Sequence, residues 1–150
     1  MARIAARVVR QSMLYVALDV VCIGVGMGVP ILSILLGVLV GWRVVRVLGL
    51  AVCPMGEALG KVLLWAGVTA GLTLIIMGVI WGGCLPMLFD PSVDVADFGM
   101  PLILFEPRAS FLGWLGLMIV VSPVLQFLMT LLGAHVALLR VARSGTVAAQ

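Results

Sequence analysis

Charged side chains are scarce in this chain. Asp, Glu, Lys and Arg make up 10% of its 150 residues and aromatic residues 7%, with a single histidine and a single tyrosine. There is no HExxH, no GxSxG, no phosphate-binding glycine loop and no Cys/His metal set, so neither hydrolase nor redox chemistry is expected. The three cysteines, Cys22, Cys53 and Cys84, are scattered without CxxC spacing. They suggest neither a disulfide framework nor a zinc site and read as small apolar side chains. A formal charge of +3 is too small to point to nucleic acid. No catalytic residue, metal ligand or cofactor is assigned.

What the chain has in abundance is apolar surface: 64% of residues are hydrophobic and the mean hydropathy is +1.33. A water-soluble domain of this length could not bury that much, so the expected solvent is lipid and the expected class is all-α, a polytopic helical bundle forming one integral-membrane domain over 1–150. The opening "MARIAARVVRQSMLYVALDVVCIG" imitates a secretory signal. Asp19 interrupts its apolar core and no A-x-A-like site follows, so a retained first helix is expected.

Three apolar regions stand out: Met13–Trp42, Val62–Trp81 and Phe111–Leu139. The first, as one helix, would extend about 45 Å against a hydrocarbon thickness of roughly 30 Å. Tilt can absorb part of that excess, so length alone leaves a single kinked span open. Charge separates the readings better. With three spans the basic residues divide four against five. With a reversal near "GVGMGVP" and four spans, eight of nine share one side and only Arg108 lies opposite. Basic residues gather on the cytoplasmic side, which favours the hairpin. Gly24, Gly26 and Gly28 permit the turn, and Pro30 suits the first turn of a new helix. The expected spans are 8–28, 30–50, 62–82 and 111–139, with an exterior loop at 83–110 and both termini cytoplasmic, in a multi-pass protein of the cell membrane. Trp42 with Trp65, and Trp81 with Trp114, should share interfaces.

Within these spans Asp19 is the first candidate, because a mid-membrane carboxylate costs roughly 2.5–3.5 kcal/mol on insertion scales and marks a functional site by default. Ser12, Tyr15, Asp19, Cys22 and Gly26 share one helical face. On the last helix Ser122, Gln126, Thr130 and Gly133 form a narrow polar stripe, with Thr130 near the depth of Asp19. A contact between Asp19 and the Gln126/Thr130 stripe is expected, either as a coupling site or as polar glue between helices. Pro123 removes the bond to the Ile119 carbonyl and should disturb that helix. His135 faces almost opposite Gln126 and is set aside.

Five Gly-x-x-x-Gly pairs occur: Gly24/Gly28, Gly37/Gly41, Gly56/Gly60, Gly67/Gly71 and Gly78/Gly82. They point to close helix approach. On the third helix Gly67, Gly71, Gly78 and Gly82 share one face, a packing groove within the protomer or between protomers. In the exterior loop Asp90, Asp94 and Asp97 lack the spacing of a calcium loop and read as a solvated acidic segment. Ser110 is placed to cap the last helix.

The run "LFDPSVDVADFGMPLILFEPRASFLGWLGLMIVVSPVLQFLMTLLGAHVALL", with "LDVVCIGVGMGVPILSILLGVLVGW" before it, resembles a group of small prokaryotic integral-membrane proteins without an assigned activity. The resemblance implies a bacterial or archaeal cell membrane and transfers no functional residue. Four helices with one acid in the first are also similar in kind to small multidrug transporters, from which this chain departs in its extra length and long second and third connections. Three functions are therefore carried forward. The first is a helix-packing subunit or homo-oligomer whose partners are the bilayer and a second copy or another membrane protein. The second is a compact proton- or cation-coupled transporter or channel using Asp19. The third is a membrane enzyme using the acidic outer loop.

Overall fold

A computed structural model describes residues 2–25, 30–50, 53–90, 92–93 and 105–147. Its elements are α1 (Ala2–Val25), α2 (Ile31–Val47), α3 (Met55–Gly82), a short 3-10 turn (Leu85–Leu88), α4 (Pro107–Gly116), a π turn (Leu117–Val121) and α5 (Ser122–Val147). The last three form one continuous rod, so the described chain is four helical rods. Two of them, Met55–Gly82 and Pro107–Val141, are long and apolar enough to cross a membrane.

Local chemistry sets the boundaries. Pro30 precedes α2, and its carbonyl accepts the first helical bond from the Ile34 N–H at 2.9 Å. α2 stops at Val47, before the expected 50, because Gly49 adopts a left-handed φ of +60°. α3 begins at Met55 rather than 62, directly after Pro54 in an extended conformation. Its extra first turns carry a Glu57–Lys61 ion pair at 2.6 Å, spaced i,i+4. α1 is described as far as Val25; its expected end at 28 and the expected turn at Gly26–Gly28 lie outside the described residues.

The rod from Pro107 begins one turn earlier than expected. Glu106, not Ser110, is its N-cap: the carboxylate accepts from the Ala109 N–H at 3.1 Å, with Pro107 in the first turn. Ser110 is buried inside the helix. The disturbance expected from Pro123 takes the form of the π turn. With no N–H at 123, the helix widens upstream, and both the Ser122 N–H and its hydroxyl donate to the Leu117 carbonyl, the hydroxyl at 2.8 Å.

Packing divides the bundle into three levels. At one end Val45, Leu50, Ala58, Val62, Ala134 and Ala137 form an apolar cluster. At the other, Phe111 and Leu115 pack with Trp81 and Trp114, whose rings meet edge to face at 4.4 Å and 89°. Between them lies a polar level. These pairings fix chain direction: α3 runs opposite to the α4–α5 rod, since Val62 meets Ala134 while Trp81 meets Trp114. α2 and α5 run the same way, because Gly37 faces Gln126 and Thr130 while Gly41 faces Thr130 and Ala134. α1 and α3 also run together, with Tyr15 against Thr69 and Thr73, and Asp19 against Thr73.

The tightest seam joins α2 to α5. Ser33, Gly37, Gly41 and Val45 recur every four residues along the buried edge of α2. A Cβ at Gly41 would strike the Thr130 carbonyl, and one at Gly133 would strike the Val38 carbonyl. Only glycine permits such backbone approach.

Candidate functional site: a buried polar level

Tyr15 and Asp19 are one helical turn apart on α1, Thr69 and Thr73 one turn apart on α3, and Gln126 and Thr130 one turn apart on α5. The i,i+4 spacing aims each pair at the bundle axis. Ser33 of α2 closes the fourth side. Asp19, Ser33 and Gln126 have no exposed surface, and Thr73 and Thr130 have 1%.

The hydrogen bonds link three helices. The Thr73 hydroxyl donates to Asp19 Oδ2 at 2.7 Å. The Tyr15 and Thr73 hydroxyls lie 2.7 Å apart, Tyr15 Oη is 3.3 Å from the Thr69 carbonyl, and Gln126 Nε2 donates to Tyr15 Oη. Thr130 donates to the Gln126 carbonyl of its own helix at 2.9 Å. Thr69 does the same to Trp65 and Ala66 at 2.9 and 3.1 Å. Three buried oxygens at this level, Asp19 Oδ1, Ser33 Oγ and Gln126 Oε1, make no hydrogen bond among the described residues.

Proton bookkeeping shows what this chain of hydroxyls can do. Each hydroxyl has one proton to donate. With Asp19 ionised, Thr73 must donate to it, so Tyr15 donates to Thr73 and accepts from Gln126. With Asp19 protonated, the order reverses: Asp19 donates to Thr73, Thr73 to Tyr15, and Tyr15 turns to the Thr69 carbonyl. Both orders leave the Thr73 and Tyr15 hydroxyls paired. Adding or removing one proton at Asp19 is therefore transmitted to the Tyr15–Thr69 contact without breaking the set.

Depth along the helices predicts Thr130 as the neighbour of Asp19; the donor is Thr73 instead. The α5 stripe reaches α1 through Gln126 and Tyr15, one turn from the carboxylate. Thr69 and Thr73 do not stand out in the sequence, where they sit in an apolar run. Their signal is the i,i+4 spacing on the side of α3 away from its glycines. Ser122 is buried but serves the π turn, and His135 is exposed on α5. The Ser12 side chain and Gly26 lie outside the described residues, as do Asp94 and Asp97, so no grouping of the latter two with Asp90 is described.

The glycines sort into two sets. Gly37 and Gly41 face backbone of α5 within van der Waals contact. Gly67, Gly71, Gly78 and Gly82 face open space, with nothing within 4 Å of a Cβ built on any of them. The α3 groove is therefore not used within the described protomer.

No family model, curated protein or solved structure matches this chain.

Proposed function

We propose that the protein is a multi-pass membrane subunit whose role is assembly, with the outward glycine face of α3 receiving a helix of a second copy. The observation that carries this reading is the contrast between the two glycine sets. Each glycine costs a helix interior about 1 kcal/mol relative to alanine. On α2 and α5 that cost is offset by close contact. On α3 four glycines repeat along one face, opposite the buried Ala66, Thr69, Thr73 and Met77, and touch nothing. In lipid, small residues at four-residue spacing favour helix association because backbones can approach.

Four spans in the cell membrane, with both termini cytoplasmic, complete the reading. It is supported by the basic-residue asymmetry, by the alternating directions of the rods, and by apolar side chains facing outward. Leu39, Leu64, Ile75 and Val79 are each more than 60% exposed, a surface suited to acyl chains and unsuited to water. Cysteine labelling at 57 and 94 tests the topology: opposite compartments are expected. Gly71→Leu and Gly78→Leu test assembly by mass in detergent. Both should release monomer, whereas Gly113→Leu, on the open face of α4, should not. A wild-type chain monomeric in bilayers refutes the reading.

A second reading, a proton-coupled transporter, is favoured by one specific feature: a fully buried carboxylate at the end of a reversible hydroxyl chain. Asp19→Asn would abolish proton-driven uptake into vesicles while leaving oligomer mass unchanged. Under the assembly reading alone, the same substitution leaves vesicle permeability as it was.

A further inference from the structure

We propose that the cleft between α1, α2 and α3 holds part of one acyl chain of an anionic phospholipid, whose headgroup is held by Arg43. The cleft encloses about 240 Å³ and its wall is almost wholly apolar, room for about eight water-sized groups. Leu18, Leu36 and Leu72 line the part nearest the polar level, and Tyr15 also contributes to the wall. From Leu36 to Leu48 it follows α2 for about 18 Å. Towards the end marked by Val45 and Leu50 it is bordered by Val47, Trp65 and Arg43.

Charge selects the occupant. Three guanidiniums lie near this end of α2. Those of Arg46 and Arg140 sit 5.1 and 4.9 Å from the Trp42 ring centre and are engaged as cation–π partners. Arg43 borders the cleft instead and has no carboxylate partner among the described residues. A long apolar slot ending at such a guanidinium matches an acyl chain joined to a phosphate, which arginine binds in a two-pronged fashion. Basic pockets between membrane helices on the cytoplasmic side bind anionic headgroups in this way. The same guanidinium opposes a cationic amphiphile.

The inference rests on the membrane reading but not on self-association, and its test counts lipid per chain whatever the oligomer. The full chain in mild detergent is exposed to equal amounts of phosphatidylglycerol and phosphatidylcholine with matched chains, and retained lipid is counted by native mass spectrometry. One phosphatidylglycerol per chain is expected, favoured about five-fold, the effect of one basic side chain near an anionic lipid. Arg43→Gln should abolish the preference and Val40→Trp, which fills the slot, should abolish retention. Arg108→Gln, at the opposite end, should change neither. Circular dichroism identifies any variant that fails to fold, and Arg43→Lys, which keeps the charge, should then retain most of the preference. Equal retention of the two lipids by the wild type overturns the proposal. So does retention of added oleate in place of phosphatidylglycerol, or a preference unaffected by Arg43→Gln.

Discussion

The α2–α5 seam makes the most direct quantitative prediction. In Gly41→Ala the new methyl would lie 2.7 Å from the Ala134 nitrogen and closer still to the Thr130 carbonyl, both backbone atoms that cannot rotate away. Ordinary contact begins near 3.4 Å, so the Ala134 nitrogen alone requires about 0.7 Å of separation along the seam and the nearer Thr130 carbonyl requires more. Gaps of that size forfeit a quarter to a half of each affected dispersion contact, and overpacking of a tight core costs about 1–3 kcal/mol. The better helix propensity of alanine returns up to about 1 kcal/mol. The net expectation is a loss of about 2 kcal/mol for Gly41→Ala, and a similar loss for Gly133→Ala, whose methyl meets the Val38 carbonyl. At about 2–4 °C per kcal/mol for a chain of this size, the melting point in detergent should fall by about 4–8 °C. Gly113→Ala is the internal comparison. Its Cβ meets nothing within 4 Å, so its melting point should stay level or rise. If Gly41→Ala and Gly113→Ala melt together, the seam is not packed on backbone.

Three further outcomes follow from single hydrogen bonds. Thr73→Val keeps the shape but leaves Asp19 Oδ2 buried without its donor, which should cost about 1–3 kcal/mol in the same melt, with Thr73→Ser close to wild type. Glu106→Ala removes the acceptor for the Ala109 N–H and should destabilise the start of α4 by about 1 kcal/mol, read as faster amide exchange at 109. In the outer loop, the Ser92 hydroxyl and N–H both donate to Asp90, at 2.6 and 2.9 Å. They hold its carboxyl below the ordinary carboxylate range. A depressed folded value stabilises the turn above the ordinary range and ceases to do so as pH falls through the depressed value. Ser92→Ala should therefore move the Asp90 titration upward in carboxyl NMR, and an unchanged titration would refute the turn.

The sequence exposes faces more readily than pairings. Polar residues at four-residue spacing in an apolar run, such as Tyr15/Asp19 and Gln126/Thr130, have few reasons to exist other than an inward direction, so spacing alone reveals both faces. Depth is also legible, because rise per residue is fixed. Azimuthal neighbours are not: depth places Asp19 and Thr130 at one level, but which helix stands beside α1 depends on how closely the glycines let α2 and α5 approach. The place beside Asp19 is filled by Thr73 of α3. Thr69 and Thr73 escape notice because threonine is common in apolar helices and bonds readily to its own backbone, as Thr69 does. Gly37/Gly41 and Gly67/Gly71 have the same spacing, yet one pair is filled and the other open, a distinction that no spacing contains.

The polar level also explains why a carboxylate is tolerated on the helix with the sparsest packing. Among the described residues of α1 the buried side chains are Tyr15, Asp19 and Ile23, while Met13, Leu14, Val20 and Val21 face outward. In the proposed bilayer such apolar residues give no preference for protein over acyl chains, since both are equally oily. Apolar contact therefore cannot by itself select the rotation of α1 about its axis. The bonds from Thr73 to Asp19 and from Gln126 to Tyr15 can, because any other rotation turns a carboxylate and a phenol towards lipid with no partner. Each bond contributes about 1 kcal/mol, but the penalty against every wrong rotation is larger. α2 and α5 need no such device, since their close backbone approach at Gly37, Gly41 and Gly133 already fixes how they face each other.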